Sequence, residues 1–221
     1  TGIHLFDPES GVRPSADTAV LACKPQQLAT VSDAIVRSTE GSLLVSILAG
    51  TRIATLRNRF PGAGTIVRVM PNTPGSIGAG MSAFASEGAL SGPNRATVEE
   101  LLLALGEFIE VEEERMDAIT AVSGSGPAYL FAFVEALSAA AKQQGFDAVH
   151  ADLLARQTVV GAAKLLEQSP DSPTELRTQV TSPGGTTEAA LRVLDHAGLN
   201  RIVADAVEAA RARSIELSQL P

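Results

Sequence analysis

The hydrophobic positions of this chain change period near its middle, and that change divides it. Up to about residue 115, short apolar runs alternate with amphipathic stretches. The runs at 18–23 and 42–48 are continuous and predict strands buried on both faces, with a third strand at 65–70. A short strand is also predicted at 2–6, ending at Asp7-Pro8, and others at 83–85 and 108–111. Between them, 27–38 predicts one helix with Leu28, Val31, Ile35 and Val36 on one side, and 52–58 and 95–105 predict two more. Such alternation implies a mostly parallel, doubly wound sheet. From 116 onward the pattern is helical, over 127–144, 148–168, 173–179, 187–197 and 199–219. The segment Ala128-Tyr129-Leu130-Phe131-Ala132-Phe133-Val134 is apolar over so wide an arc that it must be buried, in its own domain or against another subunit. The expected organisation is an α/β domain over 1–115 followed by an all-α domain over 116–221.

Composition narrows the function classes. Hydrophobic residues make up 45% of the 221 positions and aromatics only 4%, which favours closely packed alanine- and leucine-rich helices over an aromatic β-sandwich. The formal charge of −8 argues against nucleic acid or an anionic membrane as partner. No apolar run approaches the ~20 residues of a membrane span. The single Cys23 excludes an internal disulfide framework and fits a reducing, cytoplasmic setting. His4, His150 and His196 are scattered and have no metal-like spacing with Cys23, so no metal is expected. No nucleophile elbow, HExxH or Walker lysine loop occurs, and Glu112-Glu113-Glu114 reads as a solvated acidic turn.

Five segments carry candidate chemistry. Three predicted strands end in short turns, Lys24-Pro25-Gln26, Ala49-Gly50 and Asn72-Thr73-Pro74. In open α/β sheets ligands bind beyond the carboxyl ends of the strands, so three such turns on one edge point to a nucleotide site. Lys24 suits a phosphate there, or a solvated edge. Val122-Ser123-Gly124-Ser125-Gly126-Pro127 reads as a helix start, with Ser125 as cap and Pro127 in the first turn. Thr181-Ser182-Pro183-Gly184-Gly185-Thr186-Thr187-Glu188 is a backbone-rich loop opening a helix, a suitable seat for a small anion such as a carboxylate. The same residues also fit an ordinary capped helix with Thr186 or Thr187 as N-cap.

Together these segments resemble the Δ1-pyrroline-5-carboxylate reductase family. The resemblance rests on Leu21-Ala22-Cys23-Lys24-Pro25-Gln26, Ala49-Gly50, Arg68-Val69-Met70-Pro71-Asn72-Thr73-Pro74, Ser123-Gly124-Ser125-Gly126-Pro127-Ala128-Tyr129 and Ser182-Pro183-Gly184-Gly185-Thr186-Thr187, in that order. It implies a Rossmann-like domain followed by an all-α dimerisation domain, in a homodimer that can assemble further into a decamer. It implies hydride transfer from NADPH, with NADH as the lesser choice, to C5 of 1-pyrroline-5-carboxylate, giving proline. By the same resemblance Ala22, Cys23, Lys24, Pro25, Ile47, Leu48 and Ala49 line the cofactor, and Met70, Pro71 and Asn72 lie near the nicotinamide. Ser182, Gly184, Gly185, Thr186 and Thr187 hold the substrate, with the Thr187 hydroxyl near the ring nitrogen as the catalytic group.

The chain departs from the family pattern at its start. It begins at Thr1 and at what looks like a second strand, so the Gly-rich phosphate loop is expected to lie upstream. The path from Asp7-Pro8-Glu9-Ser10 to Gly11-Val12 is too short for a crossover, and residues are expected to be missing there too. Asp7 sits where an acidic residue accepts a ribose hydroxyl, whereas Arg13 suits a 2′-phosphate. Gln179 stands where the family carries an Asn or Asp-rich turn. Two other readings remain: a related β-hydroxyacid dehydrogenase, for which Lys142 and Lys164 lack a matching motif, and a catalytically silent dimerisation module.

Overall fold

Alternation along the strands sets the layers. The computed structural model describes residues 16–218, in which β1 (Thr18–Leu21), β2 (Leu43–Ser46), β3 (Thr65–Met70), β4 (Gly80–Ser86) and β5 (Gly106–Glu110) form one sheet in sequence order. Leu43, Val45, Val67, Val69 and Phe84 pack on one side, against Val98 and Leu102 of α3 (Gly92–Leu103). Leu44, Ile66, Ala83 and Ala85 pack on the other, with Ile53 and Leu56 of α2 (Ile53–Arg59), Phe60 and Met116. Helices therefore cover both faces, as the continuous apolar runs of β2 and β3 require. The β1–β2, β2–β3 and β4–β5 ladders are parallel. Between β3 and β4 only a short 3₁₀ turn, Thr73–Ile77, intervenes, too little chain for a crossover, and those strands run antiparallel.

The described residues correct several sequence expectations. The run at 18–23 is a strand only to Leu21 and is not buried on both faces, since Val20 is 54% exposed on this end strand of the described sheet. The single helix expected over 27–38 is a 3₁₀ turn, Pro25–Thr30, followed by α1 (Asp33–Ser38). Ser32 separates them, its hydroxyl accepting the Ile35 N–H as a cap that starts a new helix. Ser125 does not cap: the chain is helical from α4 (Met116–Ile119) through a π-turn at Thr120–Gly124 into α5 (Gly126–Gln143). The strand expected at 2–6, with Asp7 and Arg13, lies outside the described residues.

Among the described residues the contacts give two units: those up to Pro127 together with those from Val207 on, and Ala128–Ala206. This differs from a boundary at 115/116. Met116 is fully buried in the first unit's core, and Asp117 accepts a 2.7 Å hydrogen bond from Ser214 near the end of α9 (Leu199–Ser218). The second unit holds most of α5, α6 (Ala148–Gln168), α7 (Pro173–Gln179), α8 (Thr186–His196) and the start of α9. Its helices begin on strong local signals. Asp147 accepts the His150 N–H, and Ser172 and Glu175 form a reciprocal capping box. Among the described residues its buried apolar side chains are only Ala151 and Ala155, while Phe131, Phe133, Val149 and Leu153 are half or more exposed.

Candidate active site

Parallel register gathers the first three turns. Leu21 pairs with Ser46, and Ser46 with Arg68, so the carboxyl ends of β1, β2 and β3 lie side by side. Ala22, Lys24, Pro25, Ile47 and Ala49 are exposed along this edge, and Cys23, Met70, Pro71 and Asn72 are half-buried. Lys24 uses its backbone N–H to hold the Gln27 side chain at 3.0 Å, and the residue is exposed. Leu48 is different: its side chain is 2% exposed within the core and its N–H faces Ser46 Oγ, so it offers the edge little beyond its carbonyl.

The third turn is fastened from below. Asn72 Nδ2 donates to the Ser123 carbonyl at 3.0 Å, and Asn72 Oδ1 accepts the Met81 N–H at 2.9 Å. Beneath it three glycines meet backbone to backbone. A Cβ on Gly80 would lie 2.7 Å from Gly75 Cα and 2.8 Å from the Leu105 carbonyl, and one on Gly106 would lie 2.6 Å from Gly80 N. Side chains at these positions would push the turn off the sheet.

An ion pair that the sequence conceals stiffens the same unit. Arg68, in the centre of β3, has a side chain 4% exposed and meets Glu113 at 3.2 Å. The same Glu113 oxygen accepts the Ile53 N–H at 2.7 Å, supplying the acceptor that α2 lacks because its N-cap Arg52 makes no side-chain bond. Glu113 is therefore no part of a solvated turn. Replacing Glu113 with Ala strands a buried guanidinium, and we expect a loss of about 3 kcal/mol, the low end for a broken buried pair because Glu113 is 28% exposed. Urea unfolding measures it; an unchanged midpoint would show that the pair is idle.

In the second unit, the loop from Ser182 turns at Gly184, whose φ of +73° is a left-handed conformation favouring glycine. Gly185 (φ −79°) occupies the N-cap position of α8, so neither Thr186 nor Thr187 caps the helix. No side chain caps α8; the Glu188 carboxylate instead reaches back past the N-cap and accepts the Gly184 N–H at 2.7 Å. A Cβ on Gly185 would collide with Ser182 Oγ and approach the Ser182 carbonyl to 3.0 Å. The Thr187 hydroxyl makes no hydrogen bond among the described residues. Beside the loop lies a groove of about 460 Å³ lined by Arg177, Thr181, Glu188, Arg192 and Asp195 among others. Sequence reasoning missed Glu188 as the loop's own acceptor, although an acidic residue three past the N-cap is a recognisable capping signal. No group of three or more metal-ligating side chains forms among the described residues, and no helix there is long and apolar enough to cross a membrane.

Comparison with known proteins gives a consistent set of likenesses. Residues 113–217 match the family described as pyrroline-5-carboxylate reductase dimerisation. The chain is 39% identical over 204 residues to a pyrroline-5-carboxylate reductase of Synechocystis sp., an alignment covering 92% of this chain and 76% of the relative. Among solved structures, a pyrroline-5-carboxylate reductase from Coxiella burnetii is 37% identical with a TM-score of 0.89, covering 98% of this chain and 81% of that one. The pyrroline carboxylate reductase of Plasmodium falciparum, solved with NADP bound, is 31% identical with a TM-score of 0.85, covering 97% and 82%.

Proposed function

The chain belongs to the pyrroline-5-carboxylate reductase family, and from that premise we infer that it reduces 1-pyrroline-5-carboxylate to proline, the last step of proline biosynthesis. The observation that carries the substrate reading is the Gly184 N–H, which already holds a carboxylate, that of Glu188, at charge-assisted length. The substrate carboxylate takes that place in the loop 182–187, and Glu188 turns toward Arg192, 3.9 Å away. Ser182, Gly184, Gly185 and Thr186 hold the carboxylate, and Thr187 brings its unpartnered hydroxyl to the ring nitrogen.

The sheet edge suits a dinucleotide in its chemistry. An exposed ammonium at Lys24 faces phosphate, the small Ala22 and Ala49 permit close approach, and Met70 and Pro71 give an apolar wall. Cys23, Pro25, Ile47 and the Leu48 carbonyl complete the edge, and Asn72 secures its third turn. The dinucleotide would supply a hydride to C5 of the imine and solvent a proton to the nitrogen, so that C5=N becomes C5–H and N–H. Thr187 steadies the nitrogen as its charge changes and relays a proton, while the loop fixes the ring. NADPH is the preferred donor and NADH the lesser one; NADP in the Plasmodium relative supports this order.

We place the cofactor-binding domain at 1–115 and the dimerisation and substrate-binding domain at 116–221, a division supported by the match over 113–217. The exposed apolar side chains of α5 and α6 support a homodimer formed by that second domain. Assembly into a decamer rests on the family resemblance alone, and a cytoplasmic location on the lone cysteine and the cofactor. Thr187→Ala tests the assignment. NADPH oxidation with 1-pyrroline-5-carboxylate should fall about 10²-fold in kcat, with NADPH affinity retained; unchanged turnover would remove Thr187 from the mechanism.

A further inference from the structure

We infer that Asn72 is a positioning residue whose carboxamide replaces a missing helical N–H and thereby ties the cofactor-side turn to the π-turn at Thr120–Gly124. In an α-helix the carbonyl of residue 123 receives the N–H of residue 127. Here residue 127 is proline and has none. The helix passes the proline through a π-turn, with the Ser125 N–H reaching back five residues to the Thr120 carbonyl at 2.8 Å. The Ser123 carbonyl receives the Asn72 amide instead, at 3.0 Å.

The orientation of that amide is dictated by its partners. A carbonyl can only accept and the Met81 N–H can only donate, so Nδ2 must face Ser123 and Oδ1 must face Met81. One side chain thus joins the end of β3, the start of β4 and the π-turn. Met70 seats on the same π-turn: a Cβ on Gly124 would lie 2.7 Å from Met70 Cε, so glycine leaves room for the methionine. Two residues of the proposed nicotinamide-side turn, Met70 and Asn72, are therefore located by a helical irregularity that Pro127 helps to create.

This inference rests on the cofactor site proposed above, and its experiment separates the two. The full chain is compared with Asn72→Ala, Pro127→Ala, the double variant and Asn72→Gln. The readings are melting temperature, the NADPH dissociation constant by fluorescence titration, and kcat and KM for 1-pyrroline-5-carboxylate. Asn72→Ala should lower the melting temperature and weaken NADPH about tenfold, because the turn is no longer held in place. Pro127→Ala returns an N–H to the helix at the position facing Ser123. In the double variant, melting should recover while NADPH affinity and kcat do not, because satisfying Ser123 does not restore the tether. Asn72→Gln keeps both polar groups but adds a methylene, and should weaken NADPH with melting near that of the parent, a reading that survives if the alanine variant does not fold. Affinity that recovers together with melting, or affinity untouched by Asn72→Ala or Asn72→Gln, would reduce Asn72 to a structural bond and overturn the inference. A parent chain that binds no NADPH would instead overturn the proposed cofactor site, and the inference with it.

Discussion

Gly106→Ala is expected to cost the protein about 4 kcal/mol, the sum of backbone strain of ~1–3 kcal/mol and overpacking of ~1–3 kcal/mol. Gly106 has a φ of +133°, a conformation L side chains rarely adopt, and an added Cβ would come within 2.6 Å of Gly80 N. The obstacle is backbone on backbone, so no rotamer change relieves it. The only opposing term, the smaller entropy of an unfolded alanine, contributes ~0.4–1 kcal/mol and loses. For a chain of this length the melting temperature should fall by about 10 °C. Differential scanning calorimetry measures it, and a shift of about 2 °C or less would mean that the sheet opens there at little cost. Because Gly75, Gly80 and Gly106 lie beneath the Asn72 turn, the variant should also bind NADPH poorly at temperatures where it remains folded.

Gly185→Ala should do the opposite, sparing stability and removing activity. Gly185 has a φ of −79°, which alanine adopts freely, and the loop is largely exposed. The new methyl group meets Ser182, whose hydroxyl can rotate away but whose carbonyl, 3.0 Å off, cannot. The loop must shift by a few tenths of an ångström to one ångström at the point proposed to hold the substrate carboxylate. Displacement on that scale lowers kcat/KM by about 10²-fold. Steady-state kinetics should show this loss with NADPH affinity unchanged. If kcat/KM stays within about twofold of the parent, the loop does not orient the substrate.

Local signals made much of the architecture legible in the sequence. β3 at 65–70 ends at Pro71, and α6 at 148–168 and α7 at 173–179 begin at the Asp147 cap and the Ser172–Glu175 box. The alignment of three strand-end turns on one edge also follows from parallel topology alone. What escaped the sequence depends on partners far along the chain. Glu113 looked solvated because Arg68 lies 45 residues away, and Asn72 looked like a turn former because Ser123 lies 51 residues on. Pro127 carried a true signal with two meanings: proline suits a first helical turn and equally a bulge within a continuous helix. The glycine contact could not be seen, since three glycines without side chains leave no pattern.

The buried bond between Asp117 and Ser214 has a consequence for synthesis. Its partners are 97 residues apart, yet both belong to the unit built around the sheet. During translation at roughly 5–20 residues per second, the carboxylate waits about 5–20 s for its hydroxyl. Until the end of α9 emerges, the nascent sheet carries a carboxylate at a site that the finished protein buries. The last turns of α9 thus act as a fastener, and this unit cannot finish folding before they have been made.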